Sequence, residues 1–238
     1  MEQSEINVRS SYELRISSCG PTEFWKQVGR VNKDGPVGPD QIAMIADAIA
    51  KGLDLRPHDV LLDLCCGNGA ITDLIFARCR GGIGVDFTPG LIDVAKTNFE
   101  RPPDRLYQLA DVLEFVEAAE DAARFNKVMC YGSFPTLLAP KAVGVLNALR
   151  RRFPNVQRVF IGNLPDINRA RLFFERDMRA ELLSLQELKR HDTGVGTWRT
   201  EDEITKLAEQ CGWRAEFSQM PAAFYASYYR YDAILTAA

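Results

Sequence analysis

The stretch Val60-Leu-Leu-Asp-Leu-Cys-Cys-Gly-Asn-Gly69 decides the fold of this 238-residue chain. Residues 60–64 form a short, almost wholly apolar run, which is typical of a parallel strand buried on both faces. Gly67 and Gly69 follow at its carboxyl end and precede a helical pattern. Glycine lets the backbone turn sharply and approach a bound molecule, and the next helix presents unpaired amides. The stretch therefore predicts a strand, a turn and a helix built around a nucleotide-like ligand.

Strands and helices alternate along much of the remaining chain. Further strands are predicted at 82–86, 105–109, 126–131 and 156–162, and helices at 70–79, 89–99 and 139–152. Such alternation indicates a parallel sheet covered by helices. Two later strands, near 213–217 and 228–235, follow one another directly and predict an antiparallel pair at the sheet edge.

Three motifs combine glycines with acidic residues: Asp63-x-x-x-Gly67-x-Gly69, then Gly84-Val85-Asp86, and later Ala110-Asp111-Val112. Their spacing resembles that of the class I S-adenosylmethionine-dependent methyltransferases. The resemblance covers roughly residues 40–236 and implies an α/β fold: a Rossmann-like, seven-stranded, mostly parallel sheet with helices on both faces and an antiparallel C-terminal hairpin. It also implies S-adenosylmethionine as the cofactor. Cys65 is a departure, because the family often has glycine there.

Candidate cofactor residues follow the strands, since ligands of open α/β sheets lie beyond the carboxyl ends of the strands. Asp86 follows Asp63 at close to the offset of about 20 residues at which a carboxylate meets ribose hydroxyls. The resemblance assigns Asp111 to the adenine amino group and Asp63 to the methionine end or the loop amides. Each carboxylate has a helix-capping or turn role as its alternative, and Phe87 could stack on adenine or pack in the core. The full candidate set is Asp63, Cys65, Gly67, Asn68, Gly69, Asp86, Phe87, Asp111, Val112 and Tyr131.

Methyl transfer from a sulfonium needs a positioned acceptor above all, so a general base is optional. His191 lies in a loop and has an ordinary pKa near 6.5, which makes it the candidate catalytic base, with Tyr131 as a weaker substitute. A loop histidine without a catalytic role is the alternative. Asn163 and Asp166 are candidate pocket groups or turn and cap residues. No metal site is expected, because adjacent cysteines lack the separated spacing of metal ligands.

The chain divides into an N-terminal arm with a short helix, residues 1–38, and a methyltransferase domain, residues 39–238. Residues 1–20 are polar and have no clear period, so we expect a mobile arm there and assign it no secondary structure. A helix at 22–31, capped by Thr22, is expected to cover the cofactor cleft or to pack on the domain surface. Residues 163–198 predict a helical insertion that shapes the acceptor pocket, since this connection far exceeds the usual 2 to 6 residues.

The amino-acid composition argues against nucleic acid and membranes as binding partners. A net charge of −3 gives no general attraction to nucleic acid or anionic membranes. The six scattered cysteines favour reduced thiols, and no apolar run approaches the 18 residues or so of a membrane span, so we expect a cytoplasmic protein. We also expect a monomer or a homodimer. The leading hypothesis is methyl transfer to an O or N atom of a small molecule. The alternatives are a nicotinamide-dependent oxidoreductase, although Thr72 interrupts its glycine motif, and a non-catalytic methyltransferase-like binding subunit.

Overall fold

The computed structural model describes residues 3–32, 34–176 and 195–238. His191 and the middle of the predicted insertion lie outside the described residues. The strands are β1 (Val31–Asn32), β2 (Gly35–Pro36), β3 (Val60–Leu64), β4 (Gly81–Asp86), β5 (Arg105–Leu109), β6 (Lys127–Tyr131), β7 (Arg158–Pro165), β8 (Trp213–Ser218) and β9 (Arg230–Ala237). The α-helices are α1 (Gln3–Ser17), α2 (Phe24–Gln27), α3 (Pro39–Leu53), α4 (Ala70–Phe76), α5 (Pro89–Phe99), α6 (Val112–Ala118), α7 (Ala139–Arg152), α8 (Ala170–Arg176) and α9 (Glu201–Glu209).

A seven-stranded sheet has the order β5-β4-β3-β6-β7-β9-β8. The strands from β3 to β7 are parallel, and β9 runs antiparallel to both of its neighbours. This arrangement confirms the predicted Rossmann-like sheet with an antiparallel C-terminal pair. The chain leaves β3 toward β4 and β5 and then crosses back to β6 on the other side. The strand order therefore reverses between β3 and β6, where open α/β sheets bind their ligands.

Helices cover both faces of the sheet. Leu61 and Leu62, adjacent on β3, point to opposite faces and are both fully buried. Leu62 packs in a cluster with residues of α6, α7 and α9. Leu61 packs with residues of α3, α4 and α5. This double burial is the reason that β3 has an uninterrupted apolar sequence.

Two expectations for the N-terminal residues were wrong. Residues 3–17 form a helix, although no regular structure was expected there, because tertiary contacts hold it: Glu13 Oε1 accepts the Gly90 amide at 3.0 Å. The helix predicted at 22–31 is only the four residues of α2, and Thr22 is not its cap. Gly29, with φ 69°, ends the helical path, and Val31 enters a short hairpin.

The described ends of the insertion meet at an aromatic cluster. β7 extends to Pro165, and α8 begins at Ala170. The ring centroid of Phe173 lies 5.5 Å from that of Trp198 and 4.6 Å from that of Tyr229. The cluster thus joins both ends of the insertion to the residues just before β9. No helix in the described part of the chain has the length and apolar character needed to cross a membrane.

Candidate active site

A cavity of about 680 Å³ opens at the carboxyl ends of β3, β4 and β6. Residues of α1 and of the segment 25–31 form its outer wall. Its size is within the range of about 300 to 1,000 Å³ of small-molecule sites. The structure brings nine of the ten predicted cofactor residues to the wall of this cavity. They are Asp63, Cys65, Gly67, Asn68, Asp86, Phe87, Asp111, Val112 and Tyr131.

The loop after β3 depends on left-handed backbone conformations. Gly69, with φ 77°, is the N-cap residue immediately before α4, and it is not among the residues that line the cavity. A Cβ at Gly69 would lie 2.8 Å from the Tyr107 ring, so this position requires glycine. Cys65 also has a positive φ, 62°, which is the physical reason that glycine suits the position. A hydrogen bond to Cys130 and burial raise the pKa of the Cys65 thiol, so it is not a reactive thiolate.

The Asp86 carboxylate holds two backbone turns beside the cavity. Its Oδ2 accepts the Gly67 amide at 3.0 Å, and its Oδ1 accepts the Thr88 amide at 2.9 Å. Burial raises the pKa of Asp86, although these hydrogen bonds oppose the shift. Each carboxylate oxygen retains acceptor capacity after one bond. Asp86 can therefore support the glycine loop and accept hydrogen bonds from a ligand together.

Asp63 is buried behind the loop. Its Oδ2 accepts the Thr72 hydroxyl at 2.5 Å. Burial raises the pKa of Asp63 to about 8, against this hydrogen bond and with support from the charge of Asp86. The carboxyl is therefore mostly protonated at neutral pH and can donate a hydrogen bond. Thr72, which interrupts the dinucleotide motif, is the partner of this carboxyl.

Asp111 caps α6 and also faces the cavity. Its Oδ1 accepts the amides of Leu113 at 2.9 Å and Glu114 at 3.3 Å, and its Oδ2 lies 2.7 Å from Lys141 Nζ. Burial acts to raise the pKa of Asp111, but Lys141 and the amides outweigh it, and the pKa is lowered. Asp111 is therefore a fixed anion at neutral pH. Val112, the first residue of α6, is buried next to it.

Asn68 joins the glycine loop to the N-terminal residues. Its Nδ2 donates to the Phe24 carbonyl at 2.8 Å and to Gln27 Oε1 at 2.9 Å. Its Oδ1 accepts the Ala70 amide at 3.3 Å. With 1% exposure, the side chain is fully occupied by these contacts. Asn68 thus sets the position of α2 over the cavity.

Tyr131, the last residue of β6, lines the cavity. Its hydroxyl is buried and has no hydrogen-bond partner among the described residues. The Arg30 guanidinium lies 4.7 Å from the Tyr131 ring centroid. Burial raises the pKa of this hydroxyl, against the opposing effect of Arg30, so Tyr131 keeps its proton at neutral pH. It is suited to donating a hydrogen bond rather than to accepting a proton.

A polar cluster surrounds Asn163, which has φ 67° at a register shift in β7. The Asn163 carbonyl accepts a hydrogen bond from Arg230, and its amide donates to Asp232 Oδ1 at 2.7 Å. Asp232 Oδ2 and Asn163 Oδ1 have no partner among the described residues. Burial raises the pKa of Asp232 to about 6, although the Asn163 amide and Arg230 oppose it. Asp166 instead caps a turn, accepting the Asn168 amide at 3.0 Å.

Comparison with known proteins identifies the family. The family described as "Methyltransferase domain" matches residues 61–153, which contain the glycine loop, Asp86 and Asp111. An uncharacterized methyltransferase of Schizosaccharomyces pombe, C70.08c, is 23% identical over 210 residues, 83% of this chain and 73% of the relative. Residues 61–153 are a methyltransferase domain, and the protein is an S-adenosylmethionine-dependent methyltransferase.

Other methyltransferases show the same fold or share part of the sequence. The structure of magnesium protoporphyrin IX methyltransferase from Synechocystis PCC 6803 with bound SAH superposes with a TM-score of 0.62 at 12% identity, covering 98% of this chain and 100% of that one. The 23S rRNA methyltransferase RlmD of Pectobacterium carotovorum is 31% identical over 114 residues, 47% of this chain and 24% of the relative. The methyltransferase domain at residues 61–153 and the methyltransferase relatives favour methyl transfer over the oxidoreductase and non-catalytic alternatives.

The cavity of this methyltransferase fits its cofactor. The glycine loop leaves room for a ligand, and Asp86 has acceptor capacity for hydroxyl groups. The buried Arg30 Nε has no partner among the described residues, and it supplies a donor for a carboxylate. S-adenosylmethionine carries the ribose hydroxyls and the carboxylate that these groups accommodate.

The sequence analysis missed Arg30, Arg230 and Asp232. A signal for the last two was available, because alternation in the final strand places residues 230 and 232 on one face. Two ionisable side chains on a buried strand indicate a polar partner or a ligand nearby, because burying an unpaired charge is costly. Arg30 offered no such signal, because the residues around it were assigned to a helix.

Proposed function

We propose that this methyltransferase transfers the methyl group of S-adenosylmethionine to an O or N atom of a small molecule bound beyond Tyr131. The aromatic wall carries the proposal: Phe173, Tyr225 and Tyr229 line the cavity that also contains the glycine loop. A concave site with aromatic walls and a few polar groups suits a small ligand. An acceptor there would lie next to the cofactor in the same cavity, as in-line transfer requires.

In this proposal each predicted cofactor residue contacts the ribose, the adenine or the methionine end of S-adenosylmethionine, according to its position in the cavity. Asp86 accepts from the ribose hydroxyls, and Phe87, half-buried on the cavity wall, packs on the adenine. Asp111 meets the adenine amino group with acceptor capacity that Lys141 and α6 leave unused, and the Val112 amide meets the ring edge. The Gly67 and Asn68 backbone, with Asp63 behind it and Cys65 before it, holds the methionine end. Gly69 acts by turning the chain into α4.

Catalysis in this proposal rests on positioning. S-adenosylmethionine supplies a methyl group already activated by a sulfonium. Tyr131 donates a hydrogen bond that orients the acceptor, and His191 is the proposed base for acceptors that must lose a proton. Outside the active site, we propose a cytoplasmic protein, monomeric or homodimeric, without a nucleic-acid partner.

RNA is the competing acceptor class, because the relative RlmD acts on 23S rRNA. The net charge of −3 and the wall formed by α1 favour the small molecule. The deciding experiment incubates the purified protein with methyl-labelled S-adenosylmethionine and either a deproteinised metabolite extract or total RNA, with Asp86→Ala as the inactive control. We expect label in low-molecular-weight products only. Label in RNA that Asp86→Ala abolishes would replace the small-molecule proposal.

A further inference from the structure

Three guanidinium groups line the cavity without a carboxylate partner among the described residues. They belong to Arg15, Arg30 and Arg230. The lysines of the same cavity differ, because Lys26 lies 2.5 Å from Glu23 and Lys141 lies 2.7 Å from Asp111. The arginines instead lie against aromatic rings, at 5.3, 4.7 and 4.7 Å from the ring centroids of Tyr12, Tyr131 and Tyr229.

The bound cofactor does not neutralise this charge. S-adenosylmethionine brings a carboxylate, an ammonium and a sulfonium, and it therefore adds one positive charge. Asp63 is mostly protonated at neutral pH, which leaves Asp86 on the cavity wall and Asp232 beside Arg230 as the carboxylates without a cationic partner among the described residues of this region. The loaded cavity is thus cationic although the chain as a whole carries −3. A cationic, partly desolvated cavity attracts an anionic ligand.

The arginines differ in their distance from the cofactor loop. Arg30 lies over the Tyr131 ring and close enough to Asp63 to oppose the rise in the pKa of that carboxyl, and its Nη2 would be 3.3 Å from a Cβ placed on Gly132. Arg230, the first residue of β9, is 8% exposed and bonded to the Asn163 carbonyl, and it has no such effect on Asp63. A guanidinium has five N–H donors, so this bond leaves donors for a ligand. Arg30 is placed for the carboxylate of the cofactor and Arg230 for a second anion.

The walls around Arg230 are flat aromatic surfaces. Tyr229 lies under its guanidinium, Phe173 lies 4.6 Å from Tyr229, and Tyr225 lines the same end. Trp198, at 5.8 Å from Tyr229, is fully buried behind them and keeps the rings in place. Aromatic faces favour a planar ring in offset or edge contact. A carboxylate is the planar anion that matches a guanidinium in two parallel hydrogen bonds.

We propose that the methyl acceptor is a planar ring compound bearing a carboxylate, which Arg230 anchors at the aromatic end of the cavity. This inference rests on the proposed small-molecule function. The carboxylate lies toward β9, and the atom that receives the methyl group projects past Tyr131 toward the cofactor.

The test is calorimetry on the full chain saturated with S-adenosylhomocysteine, which keeps the cofactor site filled without turnover. The probes are 4-hydroxybenzoate, the neutral 4-hydroxybenzamide and the non-planar 4-hydroxycyclohexanecarboxylate. We expect the aromatic acid to bind at least tenfold more tightly than either other probe. Arg230→Gln should weaken binding of the acid by about 10- to 100-fold, as for loss of a charge-assisted hydrogen bond. It should leave binding of the amide and of S-adenosylhomocysteine within about twofold.

The matched control is Arg214→Gln, because Arg214 is exposed on β8 and donates to the Ala237 carbonyl. It should bind all probes as the wild type does. Any of three results overturns the inference: equal affinity for the acid and the amide, no binding of the acid at millimolar concentration, or an Arg230→Gln variant that binds the acid as the wild type does. If Arg230→Gln also loses S-adenosylhomocysteine, Arg230→Lys decides: preference for the acid supports the inference, and its absence overturns it. Failure of the wild type to bind S-adenosylhomocysteine would instead contradict the proposed function.

Discussion

Replacing Asn68 by alanine should destabilise the fold more than its position in a loop suggests. The substitution removes three hydrogen bonds, at 2.8, 2.9 and 3.3 Å, that connect the glycine loop to α2 and to the start of α4. It also leaves the buried Gln27 Oε1 without this donor. Each net hydrogen bond contributes about 0.5 to 1.5 kcal/mol, so Asn68→Ala should lower the free energy of unfolding by about 2 to 4 kcal/mol.

Urea denaturation measures this loss. With an m-value of about 2 kcal/mol/M, the midpoint should fall by about 1 to 2 M. The N-terminal residues should also become more sensitive to limited proteolysis, because Asn68 is their bond to the glycine loop. The control is Asn98→Ala, since Asn98 is exposed on α5 and bonds only the Val94 carbonyl of its own helix. If the two variants unfold at the same midpoint, the reasoning about Asn68 is refuted.

The remaining predictions concern the carboxyls and Arg30. Asp86→Ala should weaken S-adenosylhomocysteine binding by about 1 to 3 kcal/mol in calorimetry, and unchanged affinity in the folded variant would remove Asp86 from the site. Arg30→Gln should weaken S-adenosylhomocysteine about tenfold but spare 5′-methylthioadenosine, which lacks the carboxylate; equal losses would contradict that contact. Because the pKa of Asp63 is raised by folding to about 8, its contribution to stability is present at low pH and lost as pH rises toward 8. The urea midpoint should therefore fall less between pH 5 and pH 8 in Asp63→Asn than in the wild type, and an unchanged difference would show that Asp63 does not titrate there.

The sequence predicted the parts of the fold whose pattern is local. β3 was recognised because burial on both faces requires an uninterrupted apolar run. Most predicted cofactor residues line one cavity because they follow strands, and the strand ends meet at one edge of the sheet. α1 escaped because its polar residues have no apolar period, and a contact from Glu13 to Gly90, far away in sequence, holds it. Alternation places Arg230 and Asp232 on one face, but their common partner, the Asn163 backbone, lies at a register shift in β7 that no local pattern encodes.

The position of β9 between β7 and β8 has a consequence for biosynthesis. A ribosome releases β8 before β9, yet among the described strands β8 pairs with β9 alone. The nascent chain can therefore complete β3 to β7 and the glycine loop early, while β8 waits without a partner strand. Arg230 and Asp232 belong to β9, the strand with which β8 pairs. The half of the cavity around the glycine loop can thus form during translation, whereas the half around Arg230 forms only when the last strand inserts.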